Sequence, residues 1–172
     1  MDQLYICNDS NTARFILGEV NIGKPLLCIG LNPSTATIDK ADTTISKVKV
    51  FAKSLGYDGW VMFNLYPQRS TNPNNLDNEY NQELHDTNLM HIRSVIDQYR
   101  PDKIWACWGN IIDKRKYLVD LLSEIRNVCA ENDVEFINIG ELTKAGHPRH
   151  PSRLPYISEP KVFDIVSYLA NR

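Results

Sequence analysis

Four short apolar runs, separated from one another by stretches of helical period, constrain this chain more than any other feature. Leu26-Leu27-Cys28-Ile29 follows Pro25 and ends at Gly30, and a run with no polar alternation reads as a strand buried on both faces. Trp60-Val61-Met62-Phe63 is the second strand, Lys103-Ile104-Trp105-Ala106-Cys107-Trp108 the third and Val134-Glu135-Phe136-Ile137-Asn138-Ile139 the fourth. Between the first two, Asp42 caps a helix with Ile45, Val48, Phe51, Ala52 and Leu55 on one side, and Gly56 stops it. A Pro/Asn-rich loop from Tyr66 to Leu76 leads into a helix from about Asn78 to Tyr99, with Leu84, Ile92, Val95 and Ile96 inward, closed before Pro101. A third helix is expected from Ile111 to about Glu131, with Leu118, Leu121, Leu122, Ile125 and Val128 inward, and a closing helix from Glu159 to Ala170.

Strands that alternate with helices are joined by right-handed crossovers. The expected fold is therefore α/β, a three-layer α/β/α sandwich around a central, mainly parallel sheet of about four strands. The segment before Pro25 reads as a small strand or hairpin around Leu4–Cys7 and Arg14–Leu17. At 172 residues the chain suits one α/β domain spanning residues 1–172.

The formal net charge of −2 gives no overall bias toward nucleic acid, so a polyanion would have to be held by a local patch. No apolar run approaches the ~20 residues of a membrane span. Met1-Asp2-Gln3-Leu4-Tyr5 lacks the basic and apolar regions of a signal peptide, so a cytoplasmic protein with no membrane partner is expected. Cys7, Cys28, Cys107 and Cys129 form no C-x-x-C pair, which argues against zinc or an iron–sulfur cluster and for small core residues. No metal and no cofactor are expected, and nothing fixes an oligomeric state.

In a parallel α/β sheet the ligand crevice lies beyond the carboxyl ends of the strands, so polar residues at successive strand ends are the candidates. After the first strand come Gly30-Leu31-Asn32-Pro33-Ser34-Thr35. Gly30 lets backbone pass close to a ligand and Asn32 orients a water or reads a base edge, or the segment is a plain turn. Asn64 ends a strand of large apolar residues and either faces a cleft or caps its loop. Tyr66 is a packing residue before it is a stacking platform, and Trp108-Gly109-Asn110 has a structural role. Lys144 to Arg153 is a stiff basic loop in which His147, Arg149, His150 and Arg153 suit phosphate or an oxyanion, a solvated loop being the alternative. Two histidines separated by Pro-Arg, with no carboxylate or thiol beside them, make a poor metal site.

Leu31-Asn32-Pro33-Ser34-Thr35-Ala36, Asp42-x-Thr44-Ile45, Asn64-Leu65, Arg69-x-Thr71-x-Pro73, Trp108-Gly109-Asn110 and Gly146-His147-Pro148-Arg149-His150-Pro151 resemble the domain-of-unknown-function family sixteen-forty-three, from about residue 26 to 156. That resemblance implies no activity. The same order resembles, more distantly, the uracil-DNA glycosylase superfamily, whose topology is then the expected one. It implies Asn32 at the water-positioning place, Asn64 at the base-reading place and His150 at the place that stabilises the departing base, with Leu154 beside Arg153 as the duplex wedge. Asn32 stands where the more active members carry Asp, and an amide orients water but takes no proton, which points to Asp42 or Asp39 for the missing carboxylate.

The function expected is N-glycosidic hydrolysis of a nucleobase in DNA or a nucleotide. Asn32, Asp42, Asp39 and His150 are the catalytic candidates. Gly30, Pro33, Ser34, Asn64, Tyr66, Arg69, His147, Arg149 and Arg153 are the candidates for holding the substrate. The alternatives are a non-catalytic nucleotide- or nucleic-acid-binding module and a small-molecule hydrolase using Asp39 and Asp42.

Overall fold

A computed structural model describes residues 2–37 and 39–172. It shows a mixed α/β fold built on one seven-stranded sheet and four helices. The strands are β1 (Asp2–Cys7), β2 (Arg14–Val20), β3 (Leu26–Gly30), β4 (Gly59–Asn64), β5 (Lys103–Ala106), β6 (Glu135–Ile139) and β7 (Pro160–Val162). The helices are α1 (Thr43–Ser54), α2 (Gln82–Tyr99), α3 (Tyr117–Glu131) and α4 (Ile165–Ala170). The strand order is β1-β2-β4-β3-β5-β6-β7. The four strands read as apolar runs form the parallel centre, β4-β3-β5-β6, and antiparallel strands extend it at both edges.

Side chains alternate across a strand, and two clusters of buried residues follow. Leu26 and Cys28 of β3, with Trp60, Met62 and Trp105, pack with Ile45, Val48, Phe51 and Ala52 of α1. Leu27 and Ile29, with Val61, Phe63 and Ile104, pack with Ile92, Val95 and Ile96 of α2 and with Leu118, Leu121, Leu122, Ile125 and Val128 of α3. Every strand of the parallel centre is therefore apolar on both faces, and for that reason none of them alternates in sequence.

The sheet has seven strands where about four were expected, and two helices differ from their sequence reading. The segment expected to open the third helix is a 3-10 turn, Gly109–Lys114, and α3 starts only at Tyr117. Arg115 is extended between them, and its guanidinium donates to the carbonyls of Leu76 (2.6 Å) and Asn74 (2.9 Å), so the helix is interrupted to staple the loop before α2. That loop runs on to Asn81, whose side chain caps α2 by accepting from Leu84 N. The expected helix from Glu159 begins instead as β7, paired with β6, and Phe163 N donates to Phe136 O at 2.8 Å. Asp164 then caps the shorter α4.

Candidate functional site

At the carboxyl ends of β3, β4 and β5 lies a cavity of about 270 Å³. Its floor is made by Gly30, Met62, Asn64, Cys107, Trp108 and Arg14, all buried. Its walls include Asn32, Ser34, Asp42, Thr44, Ser70, Thr71, Ile111 and His150. Five chain segments meet there, four of them, around Asn32, Asn64, Trp108 and His150, from the loops that the strand-end argument singles out, and the fifth at Arg14.

Gly30 is paired with Asn64 across β3 and β4. A Cβ on Gly30 would stand 3.0 Å from Asn64 Oδ1, so the glycine leaves the room in which the asparagine side chain lies. Asn64 is 3% exposed, and its Nδ2 is buried without a hydrogen-bond partner among the described residues. Leaving such a donor unsatisfied costs roughly 1–3 kcal/mol. A side chain kept at that cost on the lining of a cavity points to a ligand site there.

Asn32 is held rigidly. Its Nδ2 donates to Ser70 O (2.9 Å) and Pro33 O (3.1 Å), lacing the loop after β3 to the loop after β4, and Oδ1 is the acceptor left over. Asp42 caps α1, Oδ1 accepting from Ile45 N at 2.9 Å, and lines the same cavity. His150 follows Pro148, whose carbonyl accepts from Gly109 N at 3.0 Å. Gly109 has φ +72°, and a Cβ there would stand 3.3 Å from His150 Cβ, so a glycine is needed twice over. Burial lowers the His150 pKa below its ordinary value, the nearby Asp42 only partly offsetting this. Its Nδ1 is 2.8 Å from Ser152 Oγ.

Of the other candidates only Ser34 lines the cavity. Pro33 and Ser34 carry the loop, their carbonyls accepting from Ser70 N and from Arg69 Nη1 (2.7 Å). Arg69 bridges this loop to the N-terminal hairpin through Tyr5 OH, also at 2.7 Å. Tyr66 is fully buried, packed edge-on to Tyr117, and its hydroxyl accepts from Asn81 N, so it packs and presents no stacking face. His147 is fully buried between Tyr168 OH (2.8 Å) and Asp113 Oδ2 (2.9 Å), and Trp108 Nε1 donates to the same tyrosine. Arg149 and Arg153 line a separate cleft with Glu141 and Lys161, and Arg149 Nε donates to Glu141 O. Asp39 is exposed and outside the cavity lining. Leu154, expected as a wedge, is 2% exposed and packed in the core with α1.

Arg14 was not among the sequence candidates. It opens β2, and because β2 runs antiparallel to β4, its first residue comes to the end where β4 finishes. Arg14 is 3% exposed, Nη1 donates to Ala36 O at 2.7 Å, and Nε is buried without a partner among the described residues. Burial and the neighbouring Arg69 lower its pKa to about 10, Asp42 opposing them, so it stays charged at neutral pH.

Among the described residues no group of three or more His, Cys, Asp or Glu side chains is placed to hold a metal ion, and no helix is long and apolar enough to cross a membrane. Cys28, Cys107 and Cys129 are buried and Cys7 half-buried, all as thiols.

These features define an α/β protein with a cavity, holding several polar side chains, at the carboxyl ends of its parallel strands. The family described as Protein of unknown function (DUF1643) matches residues 14–152, and the chain belongs to it. The match begins at Arg14, further toward the N-terminus than the motifs suggest. No curated protein and no solved structure matches the chain.

Proposed function

We propose that the cavity is the site of an N-glycosidic hydrolase acting on a nucleobase. The observation that carries this reading is Asn64, which lines a cavity shared with Asn32, Asp42 and His150 and whose buried Nδ2 has no partner among the described residues. A volume of about 270 Å³ lies at the lower end of small-molecule sites and suits a base with its sugar. The three-layer sandwich and glycosylase-like topology belong to the same reading, supported by four parallel strands with helices packed against both clusters of core residues.

In this reading Asn32 Oδ1 accepts a hydrogen bond from the attacking water, its orientation fixed by the bonds at Nδ2. The water oxygen bonds to the anomeric carbon, the carbon–nitrogen bond breaks, and its electron pair leaves with the base. Asp42 takes the water's proton. Neutral His150 accepts from Ser152 at Nδ1 and donates from Nε2 to the base, while Asn64 reads its edge. With Leu154 buried and Arg149 and Arg153 in another cleft, the substrate class is a nucleoside or nucleotide before duplex DNA.

One observation favours a binding module without turnover: Asn32 Nδ2 and Asp42 Oδ1 both bond to backbone, as purely structural residues would. Screening nucleosides, nucleotides and oligonucleotides with altered bases for free-base release separates the two. We expect release by the parent protein, and its loss in Asn32→Ala with ligand affinity within a few-fold. Binding without release from any substrate would make the module reading the right one.

A further inference from the structure

Between the sheet and α2 lies a polar contact that the hydrolytic reading does not use. The antiparallel ladder of β2 and β4 stops at Leu17 and Met62 and resumes only at the bridge between Ala13 and Gln68. Residues 14–16 therefore stand against the longer stretch 63–67, and β4 parts from β2 where it delivers Asn64 to the cavity. The carbonyl of Asn64 is met there by a side chain from a helix: Asn88 of α2 donates to it from Nδ2 at 3.0 Å.

Asn88 is an unexpected residue for its place. It is fully buried on the face of α2 that carries Ile92, Val95 and Ile96 into the core. Asparagine is a poor helix former, and the Oδ1 of Asn88 is buried without a partner among the described residues. An apolar side chain would carry neither penalty. The bond to Asn64 also fixes which way the amide points, because Oδ1 cannot face a carbonyl.

That bond pins a peptide from its second side. Leu65 N donates to Gly30 O at 2.9 Å, which ties the Asn64–Leu65 peptide to β3, and Asn88 ties the carbonyl of the same peptide to α2. With both sides held, ψ of Asn64 is fixed, and with it the direction in which its side chain leaves the strand. This matters more at Asn64 than at Asn32. The Asn32 side chain has its own bonds, to Ser70 O and Pro33 O, whereas Asn64 Nδ2 has none among the described residues.

We propose that Asn88 is a positioning residue for Asn64, fixing the place of the cavity amide by holding its backbone from α2. The proposal rests on the reading of Asn64 as the residue that meets the base, and it adds what keeps that residue in place. Asn88 is outside the cavity lining, so it acts on a ligand only through Asn64. His85 is the natural comparison, one turn earlier on the same helix and also fully buried. It stands 3.3 Å from Glu124 of α3, and neither ring nitrogen bonds to β4.

The test is nitrogen-15 relaxation of side-chain amides, read without any substrate. In the parent protein the Asn64 amide should be rigid, with an order parameter of about 0.8 or more, and in Asn88→Ala it should fall below about 0.6. The buried amide of Asn138, bonded to Gly140 O at the end of β6, should stay rigid in both. His85→Gln should leave Asn64 rigid. Asn88→Asp adds a rescue, because an ionised carboxylate repels the Asn64 carbonyl whereas a protonated one donates to it. Burial raises a carboxyl pKa, so Asn64 in that variant should be ordered near pH ~5 and loosened by pH ~9.

A mobile Asn64 amide in the parent, a rigid one in Asn88→Ala, or an equal loss of order in His85→Gln would overturn the proposal. If Asn88→Ala does not fold, Asn88→Asp decides, and Asn64 order that ignores pH would overturn it. Base release is scored separately, and Asn88→Ala should lower its kcat/KM about tenfold or more, as misplacement of a contacting group does. Loosening of Asn64 in a protein that releases no base would keep this proposal and sink the hydrolytic reading. Release by the parent, with Asn64 equally rigid in Asn88→Ala, would do the reverse.

Discussion

His147 and His150 belong to one signature, three residues apart, and have opposite fates. His147 is fully buried with a partner at each ring nitrogen, Tyr168 and Asp113, and so ties the loop after β6 to α4 and to the turn after β5. His150 has one partner, Ser152, on one side of its ring and the cavity on the other. Burial lowers both pKa values, so a perturbed pKa does not tell them apart. What differs is whether a polar atom is left over for something else. The same contrast holds between the arginines: Arg14 keeps an unpartnered Nε at the cavity floor, whereas Arg149 is tied to Glu141 in an open cleft.

Substitution should break the histidine pair apart. His147→Ala strands Tyr168 and Asp113 and opens a void, so urea unfolding should show a loss of about 2–4 kcal/mol. His150→Ala should melt near the parent and lose on the order of 10²-fold or more in base release, as expected when a donor to the leaving group is removed. Similar stability losses in the two variants would erase the distinction.

Acid sharpens the comparison with a smaller effect. His147, His150 and His91 are each lowered, chiefly by burial. For a histidine with a depressed folded pKa, the unfolded chain takes up protons first. Stability is therefore full above the unfolded value of about 6.5 and is lost as pH falls through the folded values. The urea midpoint should hold from pH ~8 to ~7 and decline below ~6.5, with a shallower decline in each single histidine variant. A midpoint that rises on acidification would contradict burial as the dominant cause.

The smallest effect belongs to Arg149 and Arg153, the first half-buried and the second exposed. Replacing Arg149 and Arg153 together by Ser should change nucleotide affinity by no more than about threefold, since neither lines the cavity and charges screened by solvent interact weakly. A large loss, with a flatter dependence on salt, would restore the basic loop to the binding surface.

The parallel centre and its strand-end polar residues were legible because periodicity and strand termini are local signals: Gly30, Asn32, Asn64 and Trp108 meet as a parallel sheet requires. Arg14 was not legible, because it reaches the site from the start of an antiparallel strand, and which strand pairs with β4 is settled by non-local packing. The direction of loop side chains was equally hidden. Lys144, Arg149 and Arg153 look like a basic rim in sequence, yet backbone bonds such as Arg149 to Glu141 O turn the loop so that only His150 lines the cavity. β7 was hidden because Glu159 to Ala170 carries helical period, while Pro160–Val162 is held as strand by β6 alone.

The central claim is that Asn64 marks a base-binding site, and a crystal structure with a bound product base tests it most directly. The account predicts the base in the strand-end cavity with an acceptor about 2.7–3.2 Å from Asn64 Nδ2. A base bound in the Arg149–Arg153 cleft, or one that leaves Asn64 Nδ2 without a partner, would contradict it.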